Sequence, residues 1–394
     1  MHPRSDSGLL RLVNSQRIVD ALFALAPSPV SRAGLARSTG LSKPTVSAVV
    51  AGLEEARLIK DVVDSEPVVR SQGRPPSFFE LAPEAGLVVG VDVGATNVLV
   101  GAANLLGEMV FEQGFATPSD GREAISLVTR EAQAMLASPQ GRAAAVRRMA
   151  IGVPGIYNEE NDSVEDAWNL GGFSQPNFRT VLERSLGVAV DVDNEANMAA
   201  RAEAWLGEGR DVDHFASISI GTGIGMGVVV GGVIHRGVSG AAGEVGHYEV
   251  PVSVGDRISL AQVESVASAT AIVARYQAIA GLQGPTNLGV ADIIDMCDRD
   301  EAARQTVNGA AQALARVISA VFAILNPELL ILGGGVGSNP LFVRHVREIL
   351  EQMDGDRAVP VAPSTLGRRA ALLGAIDTGL QGVRESLVED ILYQ

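Results

Sequence analysis

The chain has 394 residues, of which 46% are hydrophobic and 20% charged, enough for two or three folded domains with a sizeable core. A net charge of -15 argues against a nucleic-acid or membrane binder acting over its whole length. A single cysteine, Cys297, excludes an intrachain disulfide framework and fits a reducing, cytoplasmic setting. The start, "MHPRSDSGLL", has no apolar signal region, and no uninterrupted run of apolar residues is long enough to span a membrane.

The charge is unevenly placed. Residues 1–80 hold ten Lys and Arg against eight Asp and Glu, whereas residues 81–394 hold 21 against 38. A mildly basic head on an acidic body suggests that the head meets a polyanion.

In chain order, residues 14–26 carry a helical apolar spacing (Ile18, Val19, Leu22, Phe23, Leu25) that stops before Pro27. Ser31 is placed to cap a second short helix ending at Gly40. Ser42 is placed to cap a third, with Pro44 in its first turn and Val46, Val49, Val50 and Leu53 facing inward. Two helices joined by a glycine turn form a helix–turn–helix pattern. Ser42, Lys43, Thr45 and Ser47 occupy the end that would enter a major groove of duplex DNA. Two strand-like stretches follow as a wing. Gly73, Arg74 and Pro75 form its slim basic tip, suited to a minor groove, and Arg70 just before it is a further DNA-binding candidate.

From residue 87 the pattern changes to an α/β alternation. Strands end in polar or glycine-rich turns at Asp92–Asn97, at Pro154–Gly155, at Gly221–Gly225 and at Gly333–Gly335. Helices are predicted near 120–138, 195–206, 264–281, 300–325, 340–353 and 368–383. Two strand–Gly/Thr–strand turns about 130 residues apart suggest two similar lobes facing each other. Glycines let backbone N–H groups approach phosphates closely, and Asp92 is suited to a hydrated magnesium ion. In "DVDNEANMAARAE" the polar cluster Asp193, Asn194, Glu195 and Asn197 falls where a strand hands over to a helix, the usual ligand position in such folds.

The motifs "DVGATN", "GTGIGMG", "LGGG" and especially "GAAGEVGHYEV" resemble those of the ROK family (repressors, open reading frames and kinases) over essentially the whole chain. The resemblance implies a two-lobed, actin-like α/β sugar-kinase body over 81–394, preceded by a winged helix–turn–helix domain over 1–80. Lobe 1 would take about 87–195 plus the helix at 368–383, and lobe 2 about 196–367. It implies sugar contacts from Asn169, Asn194, Glu195, Glu244, His247 and Glu264. It also implies nucleotide contacts from Asp92, Gly94, Thr96, Asn97, Gly221, Thr222, Gly223, Gly333 and Gly334. A ring of hydroxyls calls for this mixture of carboxylates, amides and imidazole.

The chain departs from that family in two places. Typical members follow the histidine with three cysteines that complete a zinc site, whereas "YEVPVSVGDRISLAQV" after His247 has none. Zinc is therefore expected to be absent, and Val250, Val252, Val254 and Ile258 are expected to hold the segment by packing. The kinases' catalytic Asp is here Glu195. The expectation is a cytoplasmic, sugar-responsive repressor of carbohydrate genes that binds operator DNA as a homodimer or homotetramer and has no need of ATP or magnesium. The alternative is an ATP-dependent sugar kinase with an appended DNA-binding head.

Overall fold

The computed structural model of the chain describes residues 6–62, 77–167, 170–171, 173–174, 176–254, 257–284, 287–355 and 360–393. The head contains α1 (Asp6–Leu25), β1 (Val30–Ser31), α2 (Arg32–Thr39), α3 (Lys43–Glu55), β2 (Ile59–Val62) and β3 (Phe78–Leu81). Both predicted caps form. The Ser31 hydroxyl accepts from Gly34 N–H at 3.1 Å and the Ser42 hydroxyl from Thr45 N–H at 3.3 Å. Gly40, at φ 70, ends α2. Helix α1 begins eight residues before the apolar spacing predicts it. The wing sheet has three strands rather than two, in the order β1-β3-β2. Arg70 and the wing tip at Gly73, Arg74 and Pro75 lie outside the described residues.

The first lobe comprises β4 (Leu87–Val93), β5 (Asn97–Asn104), β6 (Met109–Ala116), α4 (Gly121–Ala137), α5 (Pro139–Ala143), β7 (Val146–Val153), β8 (Ile156–Asn158), β9 (Ser163–Glu165), α6 (Phe178–Leu186) and β10 (Ala189–Asn194). Then comes α7 (Glu195–Leu206). The second lobe contains β11 (Phe215–Ile220), β12 (Ile224–Val230), β13 (Val233–Ile234), β14 (Glu249–Val254), β15 (Arg257–Gln262), α8 (Glu264–Ala267), α9 (Ala269–Ile279), α10 (Val290–Asp295), α11 (Glu301–Leu325), β16 (Leu329–Gly333), α12 (Gly334–Gly337), α13 (Pro340–Asp354) and β17 (Val361–Pro363). The closing helix α14 (Ala370–Tyr393) runs ten residues past the predicted end.

The two central sheets repeat one plan. The first has the order β10-β7-β4-β5-β6 and the second β17-β16-β11-β12-β13. In each, three antiparallel strands are followed outward by two parallel ones. Every residue of β4 is buried, as expected of a strand covered on both faces. Helices α7 and α14 pack on each other at the middle of the molecule.

The apolar core of the head does not close on itself. Phe79 and Leu81 join a cluster with Val88, Leu105, Leu380 and Val383, so the head is seated on α14 and on the edge of the first lobe. Helix α11 is long and apolar enough to cross a membrane, yet half of its most apolar stretch is buried, with Leu314 and Ile318 in the core of the second lobe.

The segment after His247 is a two-stranded hairpin, β14–β15. Val250 is buried and Val252 packs beside it. Ile258, expected to pack inward, is 80% exposed. Its register opposite Ser253 puts it on the outer face, because side chains alternate along a strand. The Val254 side chain is outside the described set.

Candidate functional site

The strand-to-helix handover at 193–197 divides its labour. Asp193 Oδ1 accepts from the Asn194 N–H and from Asn197 Nδ2, each at 2.8 Å. Its Oδ2 accepts from Arg236 Nη2 at 2.6 Å and Nε at 2.9 Å. Asn194 caps α7, accepting from Ala196 N–H at 2.7 Å, and donates from Nδ2 to the Gly155 carbonyl at 2.7 Å. Asp193, Asn194 and Asn197 thus build the corner, and Glu195 is the member turned toward ligand space. Gly155 permits this close approach. At φ 94 it leaves no room for a Cβ, which would fall 2.4 Å from the Glu165 carbonyl.

Glu195 lines two cavities. The first, about 80 Å³, brings Asn194 and Glu195 together with Glu244, His247 and Glu264. Glu264 begins α8 and accepts from Ile224 N–H at 2.8 Å, so one of its oxygens is already committed. Gly243, at φ 96, delivers Glu244, since a Cβ there would collide with the Met226 carbonyl. Asn169 lies outside the described residues. Asp166 also lines this cavity, and sequence reasoning missed it. Its only signal is its nearness in the chain to Asn169.

The second cavity, about 170 Å³, gathers Asp92, Gly94, Thr96 and Asn97 opposite Gly333 and Gly334. Gly221 and Thr222, expected there, do not line it, and Gly223 lines the smaller cavity instead. The β11–β12 turn is closed on itself by Gly221 N–H to Gly223 carbonyl at 2.9 Å. The Gly221 carbonyl is taken by Ala269 N–H at 2.8 Å. Among the lining residues that gave no warning in the sequence are Glu203, Ser364 and Arg368. Glu203 accepts hydrogen bonds from the Ser364 hydroxyl and, at 3.0 Å, from Glu208 N–H.

The electrostatics of this junction are unusual. Burial pushes Asp92 up to about 7. Glu195 is pushed up to about 8, first by burial and then by the like charges of Asp92, Glu244 and Glu264. Glu244 is raised by burial, with His247 opposing. Glu203 is also raised by burial. Burial and the neighbouring like charges both favour the protonated forms, of Glu195 above all.

Asp92 Oδ1 is buried without a hydrogen-bond partner, which fits a hydrated magnesium ion. A cysteine-rich zinc site does not fit. Among the described residues no group of three or more His, Cys, Asp or Glu is arranged to hold a metal ion. Cys297 is buried elsewhere, 3.5 Å from the His345 ring.

On the head, Ser42, Lys43 and Ser47 are exposed and Thr45 is half-buried. The Ser42 and Thr45 hydroxyls lie 2.8 Å apart, so Thr45 takes part in the cap.

A winged helix–turn–helix head joined to a duplicated two-lobed body defines the class: a DNA-binding module on an actin-like sugar-kinase fold. The chain belongs to the ROK family, whose model matches residues 88–381, and the MarR family model matches residues 19–67. The xylose repressor of Caldicellulosiruptor bescii is 26% identical over 401 residues, covering 93% of this chain and 95% of that one. A crystal structure of a ROK family transcriptional regulator, a homologue of the E. coli MLC protein, superposes with a TM-score of 0.79. It covers 98% of this chain and 100% of its own at 21% identity. A ROK family glucokinase from Streptomyces griseus, solved with glucose and AMPPNP, is 26% identical with a TM-score of 0.64. It covers 75% of this chain and 100% of its own.

Proposed function

We propose that the protein is a sugar-responsive transcriptional repressor of carbohydrate genes, acting in the cytoplasm as a homodimer or homotetramer on duplex operator DNA. One observation carries the reading. The core of the head continues into α14, α14 packs on α7, and α7 begins with Glu195 at the small cavity. The small cavity and the head are thus joined by two helices in contact. Xylose is the first effector to test, by analogy with the xylose repressor of C. bescii.

A sugar in this cavity meets carboxylates from both lobes, with Glu195 on one side and Glu244 and Glu264 on the other. Binding therefore favours one relative position of the lobes, and α7 and α14 transmit that position to the head. Linkage requires sugar and operator to change each other's affinity by the same factor. Operator titrations with and without a sugar panel test the reading. The expected result is a shift in operator affinity with at least one sugar, abolished by Glu244→Ala while the unliganded affinity stays near normal. Unchanged operator affinity with every bound sugar defeats it.

One observation favours a kinase as the second reading: Asp92, Gly94, Thr96 and Gly333 still converge on one cleft, with Glu195 between the cleft and the small cavity. Against it, Asp92, Glu195 and Glu203 present three carboxylates to the space phosphates would occupy, with Arg368 as a cation among the lining residues. Glu195 also carries one methylene more than the aspartate of the family's kinases. A displacement of ~1 Å costs on the order of 100-fold in rate. A coupled ATP-consumption assay over the sugar panel should give turnover at least about 100-fold below an ordinary kinase, with Glu195→Asp recovering a trace. Robust phosphorylation by the unmodified protein promotes the kinase.

A further inference from the structure

A third cavity, about 430 Å³, lies away from the cleft, between α7, α14 and the β12–β13 turn. Its lining includes three arginines, Arg201, Arg236 and Arg384, in a body that is otherwise strongly acidic. Two of them are engaged. Arg201 Nε lies 2.9 Å from Asp377, and Arg236 pairs with Asp193. Arg384 has no ion pair among the described residues. Its Nε is buried with no hydrogen-bond partner, and its guanidinium stacks 4.6 Å from the centre of the Phe23 ring on α1 of the head. Burial lowers its pKa, with Asp377 and Asp20 opposing and the like charge of Arg201 adding to the fall. Trp205, Val229 and Ile234 give the cavity an apolar wall.

We infer that this cavity binds a small organic phosphate monoester, its phosphate held by Arg384 with Arg236 beside it and its organic part laid on the apolar wall. A planar guanidinium that lines the cavity without an ion pair matches the paired oxygens of a phosphate, and a dianion suits a site lined by three guanidiniums and one carboxylate, Asp377. An occupant that engages Arg384 draws on the residue that also contacts Phe23, so it acts at the joint between head and body. It is also one ion pair away from the sugar corner, through Arg236 and Asp193. The consequence for operator binding rests on the regulatory reading above, whereas binding itself does not.

Calorimetry on the full-length protein without DNA tests the site, with glucose 6-phosphate and phenyl phosphate as probes. Phenyl phosphate offers no sugar to the small cavity. Both probes should bind the wild type and Glu244→Ala alike. Arg384→Gln should weaken both by about tenfold or more, the expectation for losing a charge-assisted hydrogen bond. Val233→Glu provides a second variant that leaves the core intact. Val233 lines the cavity yet is 65% exposed, and a carboxylate there should weaken both probes by about tenfold through repulsion. Binding that is lost in Glu244→Ala and kept in Arg384→Gln and Val233→Glu overturns the inference, as does the absence of saturable binding of either probe.

Discussion

Arg236, just beyond β13, grips Asp193 at the end of β10 through two nitrogens, Nη2 at 2.6 Å and Nε at 2.9 Å from one carboxylate oxygen. The pair ties the second lobe to the corner that carries Glu195. Asp193 is 10% exposed and Arg236 47%, so the interaction is only partly screened by water. Arg236→Ala should lower stability by about 1–2 kcal/mol, the lower part of what hydrogen bonds to charged groups give, because the half-exposed arginine is partly screened. Urea unfolding of Arg236→Ala, Asp193→Asn and the double variant checks this. The double variant should lose less than the sum of the two, and strict additivity would show that the pair is not coupled.

The upward shifts of Asp92 and Glu195 predict a pH dependence. Both carboxyls have folded-state values above their ordinary ones, 3.8 for Asp92 and 4.5 for Glu195. The folded state then binds more protons than the unfolded chain. Their stabilising contribution is complete below the ordinary values and is lost as pH rises through about 7 to 8. The melting temperature should fall from about pH 5 to about pH 8 and level off above that, and Glu195→Gln should flatten the decline. An identical slope in the variant would remove Glu195 from the explanation.

Ser42 and Lys43 sit side by side at the start of α3 but should fail differently. Ser42→Ala removes the cap on Thr45 N–H and should cost about 1 kcal/mol of stability. Lys43→Ala, at an exposed position, should leave stability unchanged. It should weaken DNA binding across all sequences and reduce the salt slope of binding by about one phosphate contact. Salt-dependent titrations beside thermal melts separate the two. A Lys43→Ala variant with an unaltered salt slope would take Lys43 off the DNA.

Elemental analysis of the purified protein should find no stoichiometric zinc. Val250 is buried and Val252 packs beside it, and this packing is expected to hold the β14–β15 hairpin without a metal. One zinc per chain would contradict this and direct attention to ligands such as Glu249, together with Asp256, which lies outside the described residues.

Features governed by a few neighbouring residues were legible in the sequence. Ser31 and Ser42 cap their helices, Gly40 ends one, and each central strand runs into its polar or glycine turn, because backbone hydrogen bonds and allowed torsions are settled locally. The family motifs likewise brought Glu244, His247 and Glu264 to one cavity with Glu195. Only the tertiary structure decided what depends on distant partners. Asp193 reads as a ligand residue until Arg236 takes one of its oxygens. Glu203 and Ser364, which are 161 residues apart, meet in the large cleft. Ile258 reads as core until the hairpin register turns it outward. Arg384 is an ordinary helix residue until α14 passes between the head and α7. Side-chain pairing across such separations is set by how the sheets and helices pack, and no local spacing encodes it.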